Sequence, residues 1–96
     1  MKGLCILGAT GSIGVSTLDV VARHSHLYNV VALTANNNID LLYEQCLAHQ
    51  PEYVVVVDEK KALVFTEKLK NSPVSDIKVL SGADSLEYVA TLKNVD

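Results

Sequence analysis

The sequence of 96 residues has no tryptophan, two cysteines, two prolines, and eight lysines and arginines against eleven acidic residues. The shortage of cations leaves a net charge of −3, which excludes a broad basic face and with it nucleic acid as an expected partner. An anionic ligand would have to be held locally, by backbone N–H groups and a few side chains. Cys5 and Cys46 lie far apart in apolar stretches, the pattern of reduced, buried thiols in a cytosolic protein. Neither stands at metal-ligand spacing from His24, His26 or His49, so no metal site is expected among these residues. No apolar run approaches the roughly 20 residues of a membrane span, so no membrane partner is expected. The opening "MKGLCILG" is too short in its apolar part for a secretory signal and runs into turn glycines. The expected location is the bacterial cytoplasm, or a plastid if a transit peptide has been removed.

What is present is a hydrophobic content of 49% with a mean hydropathy of +0.24. That composition argues for a packed globule rather than disorder, and the length for one domain with a modest core. Lys2–Leu7 reads as a short apolar strand ended by Gly8. Ser12 or Ile13 to about His24 reads as a helix with Ile13, Thr17, Leu18 and Val21 facing inward. Tyr28–Ala35 is a second strand, nearly continuous in apolar residues as a strand buried on both faces should be. Ile39–His49 is a helix with Ile39, Leu42, Cys46 and Leu47 as its inner stripe, ended before Pro51. Tyr53–Val57 is a β-branched third strand, and Glu59 to about Asn71 a helix packing through Leu63, Phe65, Thr66 and Leu69. Ile77–Leu80 is a short fourth strand, and Asp84 is placed to cap a last helix running to about Lys93.

Strands alternating with helices over short connections predict an α/β fold with a doubly wound parallel sheet covered on both faces. Val95-Asp96 follows the last helix as a further buried strand would begin. A doubly wound sheet that stops here has strands on only one side of the first, so half of a nucleotide crevice is expected to be missing. Residues 1–96 are therefore expected to be an incomplete sheet, a piece of a longer protein.

Between the first strand and helix lie Gly8, Gly11 and Gly14, a G-x-x-G-x-x-G pattern one residue longer in its first gap than the common dinucleotide fingerprint. Gly8 suits a tight turn, Gly11 a close approach of backbone to a pyrophosphate, and Gly14 close packing of helix on strand. The helix start offers free N–H groups and a partial positive charge. Thr10 and Ser12 add hydroxyl donors, with Ser12 also placed to cap the helix. The pattern predicts a Rossmann-like site for nucleotide phosphates; the alternative is a purely structural turn. Where an NAD-binding domain offers a carboxylate to the ribose, this sequence has Thr34, Ala35, Asn36, Asn37 and Asn38. No acid there repels a 2′-phosphate and several amides are available to bind one, which favours NADP over NAD. The alternative is a plain loop in which Asn38 caps the following helix; Asn38 is able to do both.

The stretches "ILGATGSIGVSTLDVV", "VVALTANNN", "PEYVVVVDE" and "VLSGADSLEYVATLKNVD" together resemble the amino-terminal segment of the 1-deoxy-D-xylulose 5-phosphate reductoisomerase family. The resemblance covers essentially the whole chain. It implies an NADPH-dependent enzyme of non-mevalonate isoprenoid biosynthesis that rearranges and reduces 1-deoxy-D-xylulose 5-phosphate to 2-C-methyl-D-erythritol 4-phosphate. It also implies Mg²⁺ or Mn²⁺ as a cofactor and a homodimer. The positions matching Thr10, Gly11, Ser12 and Ile13 would hold the cofactor phosphates. Those matching Asn36, Asn37 and Asn38 would contact the adenosine ribose and its 2′-phosphate. Many members carry Gly then Lys or Arg where this sequence has Asn36 and Asn37, a departure that removes a fixed cation. The family's catalytic, metal-binding and substrate-binding residues lie beyond the matched region, so this chain alone is expected to be inactive. Asp58-Glu59 beside Lys60-Lys61 reads as a solvated helix start rather than a reactive cluster. Two other readings stand beside this one. "GATGSIG" also resembles extended short-chain and aspartate-semialdehyde dehydrogenases, although Tyr43 and Tyr88 lack a lysine four positions on. A non-catalytic nucleotide-sensing module is the other.

Overall fold

A computed structural model describes residues 1–96. Four strands, β1 (Lys2–Ile6), β2 (Tyr28–Ala35), β3 (Tyr53–Val56) and β4 (Lys78–Ser81), alternate with helices α1 (Ser12–Arg23), α2 (Ile39–His49), α3 (Glu59–Lys70) and α4 (Asp84–Ala90). The strands form one sheet in the order β1-β2-β3-β4, and every neighbouring pair is parallel. Right-handed crossovers that always step in the same direction put their helices on one face. Accordingly Leu18 and Val21 of α1, Leu42 and Cys46 of α2, and Phe65 and Leu69 of α3 share one core with Val30, Leu33, Val54 and Val56. The opposite face carries a smaller cluster of Ala32, Val55 and Val89, covered by α4 alone. β2 and β3 are central and buried on both faces, which explains their lack of hydrophobic alternation.

The first strand has a strand partner on one side only, as expected. On its other side the last residue lies alongside it: Asp96 N–H donates to the Gly3 carbonyl at 2.9 Å, and Gly3 N–H donates to Asp96 Oδ2 at 2.8 Å. No strand is assigned at Val95-Asp96.

The inner faces of three helices differ from expectation, each for a geometric reason. In α1 the buried stripe is Gly14, Leu18 and Val21, while Ile13 is 82% exposed and Thr17 is also on the surface. Gly14 must face the loop backbone, and one residue of offset turns Ile13 and Thr17 about 100° away. In α3 the stripe is Ala62, Phe65 and Leu69, which leaves Leu63 71% exposed and Thr66 at the surface. In α2 the polar Gln45 is buried and Leu47 is turned outward. The last helix stops at Ala90, short of Lys93, and the Thr91 N–H and hydroxyl both donate to the carbonyls of Glu87 and Tyr88. Two expected caps are corrected. The N-cap of α1 is Gly11, not Ser12, and no side chain caps it. The N-cap of α4 is Ala83, with Asp84 already in the first turn.

Candidate functional site

In a parallel sheet the carboxyl ends of all strands point the same way, and the loops gathered there form the binding edge. The β1–α1 loop begins with Gly8 at φ +64°, a left-handed turn that a side chain would strain. Thr34 at the end of β2 holds this turn twice. Its hydroxyl accepts from Gly8 N–H at 2.9 Å, and its carbonyl accepts from Ala9 N–H at 2.7 Å. From α2, Gln45 Nε2 donates to the Ala9 carbonyl at 2.7 Å, which is why this polar residue is buried. Gly14 then seats α1 directly on the loop. A Cβ there would stand 2.2 Å from the Gly8 carbonyl oxygen and 2.6 Å from Ala9 Cα. Gly11 is different, since an added Cβ would meet only the Gly8 carbonyl, at 3.4 Å. The fold therefore requires glycine at positions 8 and 14 but places little demand on position 11.

The first internal bond of α1 runs from Val15 N–H to the Gly11 carbonyl. The N–H groups of Ser12, Ile13 and Gly14 thus have no partner in the helix, as at any helix start. Here no side chain caps them and no acidic residue lies in the first turn. The neighbouring helices are finished differently. Asn38 and Asp58 cap α2 and α3 with side-chain oxygens, and Asp40 and Glu59 occupy their first turns. Only α1 presents its dipole and open donors without a negative group of its own, the condition under which a helix start attracts an anion.

Beside this helix start lies a cleft of about 440 Å³. Its walls are Leu7, Gly8, Thr10 and Gly11, then Thr34 to Asn38, then Val57 and Leu86. None of these residues is charged. Five of the seven expected ligand-binding residues, Thr10, Gly11, Asn36, Asn37 and Asn38, therefore meet in one place. Ser12 and Ile13 lie just outside, along a shallow groove on α1 with Ser16, Thr17 and Val20. The Ile13 side chain points to solvent, so what this residue offers at the helix start is its N–H. Asn38 Oδ1 accepts from Leu41 N–H at 3.4 Å, so Asn38 caps α2 while leaving its amide N–H₂ free. The loop is held to the next strand by Asp58 N–H donating to the Asn36 carbonyl at 3.0 Å.

Sequence reasoning missed three contributors. Gln45 is absent from the apolar stripe read for α2, and only its three-dimensional partner, a loop carbonyl, accounts for its burial. Val57, just after β3, and Leu86 of α4 form an apolar wall that no local pattern announces. A hollow of about 500 Å³ at the opposite end of the strands, among Glu52, Asp76, Lys78 and Asn94, has no glycine loop and no helix start opening into it. Burial pushes the Cys46 thiol up to about 12 and raises that of Cys5 as well, so both are poor nucleophiles near neutral pH. No three His, Cys, Asp or Glu side chains come together as a set of metal ligands.

Parallel strands, a left-handed glycine turn and an uncapped helix start beside a polar loop define a Rossmann-like α/β domain of the kind that holds nucleotide phosphates. Within that class the comparison is specific. The family model for 1-deoxy-D-xylulose 5-phosphate reductoisomerase matches residues 4–96, and the chain belongs to this family. It is 54% identical over 96 residues to the 1-deoxy-D-xylulose 5-phosphate reductoisomerase of Methylococcus capsulatus, covering 100% of this chain and 24% of that protein. The corresponding protein of Nitrosomonas europaea is 50% identical over 95 residues, 99% of this chain and 23% of the relative. Among solved structures, the Zymomonas mobilis enzyme in complex with NADPH superposes with a TM-score of 0.86 at 34% identity, over 97% of this chain and 24% of that one. A DOX-P reductoisomerase with NADPH, fosmidomycin and magnesium gives a TM-score of 0.93 at 31% identity, over 100% and 23%. The chain thus spans about a quarter of the length of the relatives it matches.

Proposed function

We propose that residues 1–96 form the NADPH-binding part of an enzyme that converts 1-deoxy-D-xylulose 5-phosphate to 2-C-methyl-D-erythritol 4-phosphate. The observation that carries this reading is the set of open N–H groups at Ser12, Ile13 and Gly14, without cap or acid, beside a cleft with no charged wall. The cofactor pyrophosphate would lie on these N–H groups, with the hydroxyls of Thr10 and Ser12 as further donors. Gly11 leaves room for close approach. The free amides of Asn36, Asn37 and Asn38 would receive the adenosine ribose and its 2′-phosphate. The cofactor supplies a hydride to the reaction; this segment holds and orients it.

The donor set of residues 1–96 does not fit a divalent metal, since it gathers no carboxylate or histidine cluster. We therefore assign the Mg²⁺ or Mn²⁺ site, the sugar-phosphate site and the catalytic groups to other parts of a longer chain, and expect residues 1–96 alone to be inactive. Solved structures of relatives contain magnesium and fosmidomycin, which supports a metal requirement in the full-length enzyme. The working enzyme is proposed as a cytoplasmic homodimer.

The test is a coupled requirement. Full-length enzyme should oxidise NADPH only when both 1-deoxy-D-xylulose 5-phosphate and Mg²⁺ or Mn²⁺ are supplied, and lose the activity to a chelator. Equal turnover without metal, or with no sugar phosphate present, would overturn the assignment.

A further inference from the structure

The peptide units of the turn between β1 and α1 are held one by one, and a single unit has no backbone tie. Gly8 N–H donates to Thr34 Oγ1 at 2.9 Å and Ala9 N–H to the Thr34 carbonyl at 2.7 Å, which fixes the two units ahead of Ala9. Gly11 N–H donates to the Gly8 carbonyl at 3.0 Å and fixes the unit ahead of Gly11. Between them lies the unit made of the Ala9 carbonyl and the Thr10 N–H. No backbone group bonds to either end of it. Its one partner is a side chain from α2: Gln45 Nε2, donating to the Ala9 carbonyl at 2.7 Å.

A trans peptide unit is planar, with its carbonyl and N–H pointing in opposite directions, and the chain contains no cis bond. The bond that holds the Ala9 carbonyl toward Gln45 therefore aims the Thr10 N–H the other way. Thr10 lines the cleft, and this N–H has no partner within the protein. Half a turn of this one plane would put a carbonyl oxygen where the N–H now points, and an anion would meet the wrong end of the dipole. Gln45 also carries a cost. Its Oε1 is buried without a partner, and a buried acceptor without a donor destabilises the fold. The reverse orientation of the amide offers no relief, because Oε1 would then face the Ala9 carbonyl oxygen. A side chain that leaves half of its amide unsatisfied in order to hold one loop carbonyl is placed for orientation rather than for packing.

Resting on the NADPH reading above, we infer that Gln45 is a positioning residue for cofactor binding: from α2 it fixes the Ala9 carbonyl and so aims the Thr10 N–H at the cofactor's pyrophosphate. The experiment uses the full-length enzyme as wild type, Gln45→Met and Gln45→Asn. Methionine keeps the length without the donor, and asparagine keeps the amide but is one methylene too short to reach. Both should raise KM for NADPH by about tenfold, the scale of one donor lost to a charged group. The values of kcat at saturating NADPH and of KM for 1-deoxy-D-xylulose 5-phosphate should stay within about twofold of wild type. For NADH, kcat/KM should fall by the same factor as for NADPH, since the pyrophosphate is common to both. The urea midpoint of Gln45→Met should move little, because the variant removes the unpartnered Oε1 together with the bond. Unchanged KM for NADPH in either folded variant, or failure of both to fold, would make Gln45 a structural brace only and overturn the inference. So would a loss confined to NADPH, which would place the effect at Asn36–Asn38 ahead of the same helix. In each of these cases wild type still binds NADPH and that reading stands. Failure of the wild-type enzyme to bind NADPH would overturn both.

Discussion

Gly14 and Gly11 sit three residues apart at the start of α1, yet the fold treats them differently. A methyl group at Gly14 would collide with loop backbone at 2.2 to 2.8 Å, and backbone cannot swing aside as a flexible side chain can. Gly14→Ala should therefore cost about 1–3 kcal/mol, the range for overpacking a tight contact, and displace the loop. Gly11→Ala meets only one atom, at 3.4 Å, and should cost under about 1 kcal/mol, mostly from placing alanine at an N-cap. In the proposed site that same methyl group enters the path of the pyrophosphate, so Gly11→Ala should raise the NADPH dissociation constant by about tenfold or more. Urea unfolding and a fluorescence titration with NADPH separate the two effects. Equal stability losses for the two variants, or unchanged binding by Gly11→Ala, would contradict the division of roles.

The helices differ in how they begin, and that difference is measurable. Asp58 Oδ1 accepts from Lys61 N–H at 3.1 Å, whereas Asn38 Oδ1 reaches Leu41 N–H only at 3.4 Å. An anionic cap on a helix dipole is also worth more than a neutral one. Asp58→Ala should therefore lower stability by about 1 kcal/mol and Asn38→Ala by clearly less, read as shifts in the urea midpoint at constant slope. At this scale the sequence is a good guide to where elements lie and a poorer one to how they rotate. β2 and α2 fall at their expected bounds because turn signals, a cap and Pro51 bracket them. The rotation of α1 and α3 is not legible in the sequence because apolar residues stand on both flanks of the true stripe. Only tertiary demands, Gly14 against the loop and Phe65 in the core, choose between the flanks. The early end of α4 at Ala90 carries no local signal, since neither glycine nor proline stands between Asp84 and Lys93.

For the molecule as a whole, the βα alternation and buried strands made the parallel sheet legible, and the glycine spacing made the phosphate loop legible. The rest was not, since Val57 and Leu86 reach the cleft from other segments and Gln45 braces its loop from α2, and all three are unremarkable in their own segments. The central claim is that the uncharged asparagine loop beside α1 receives a 2′-phosphorylated ribose. It is tested most directly by the ratio of kcat/KM for NADPH to that for NADH in the full-length enzyme, wild type against Asn37→Asp. A carboxylate introduced there should repel the 2′-phosphate and spare the 2′-hydroxyl, so wild type should favour NADPH and the variant should lose at least about tenfold of that preference, a cost of about 1.4 kcal/mol. A wild-type enzyme that favours NADH, or a ratio unmoved by Asn37→Asp, would contradict the account.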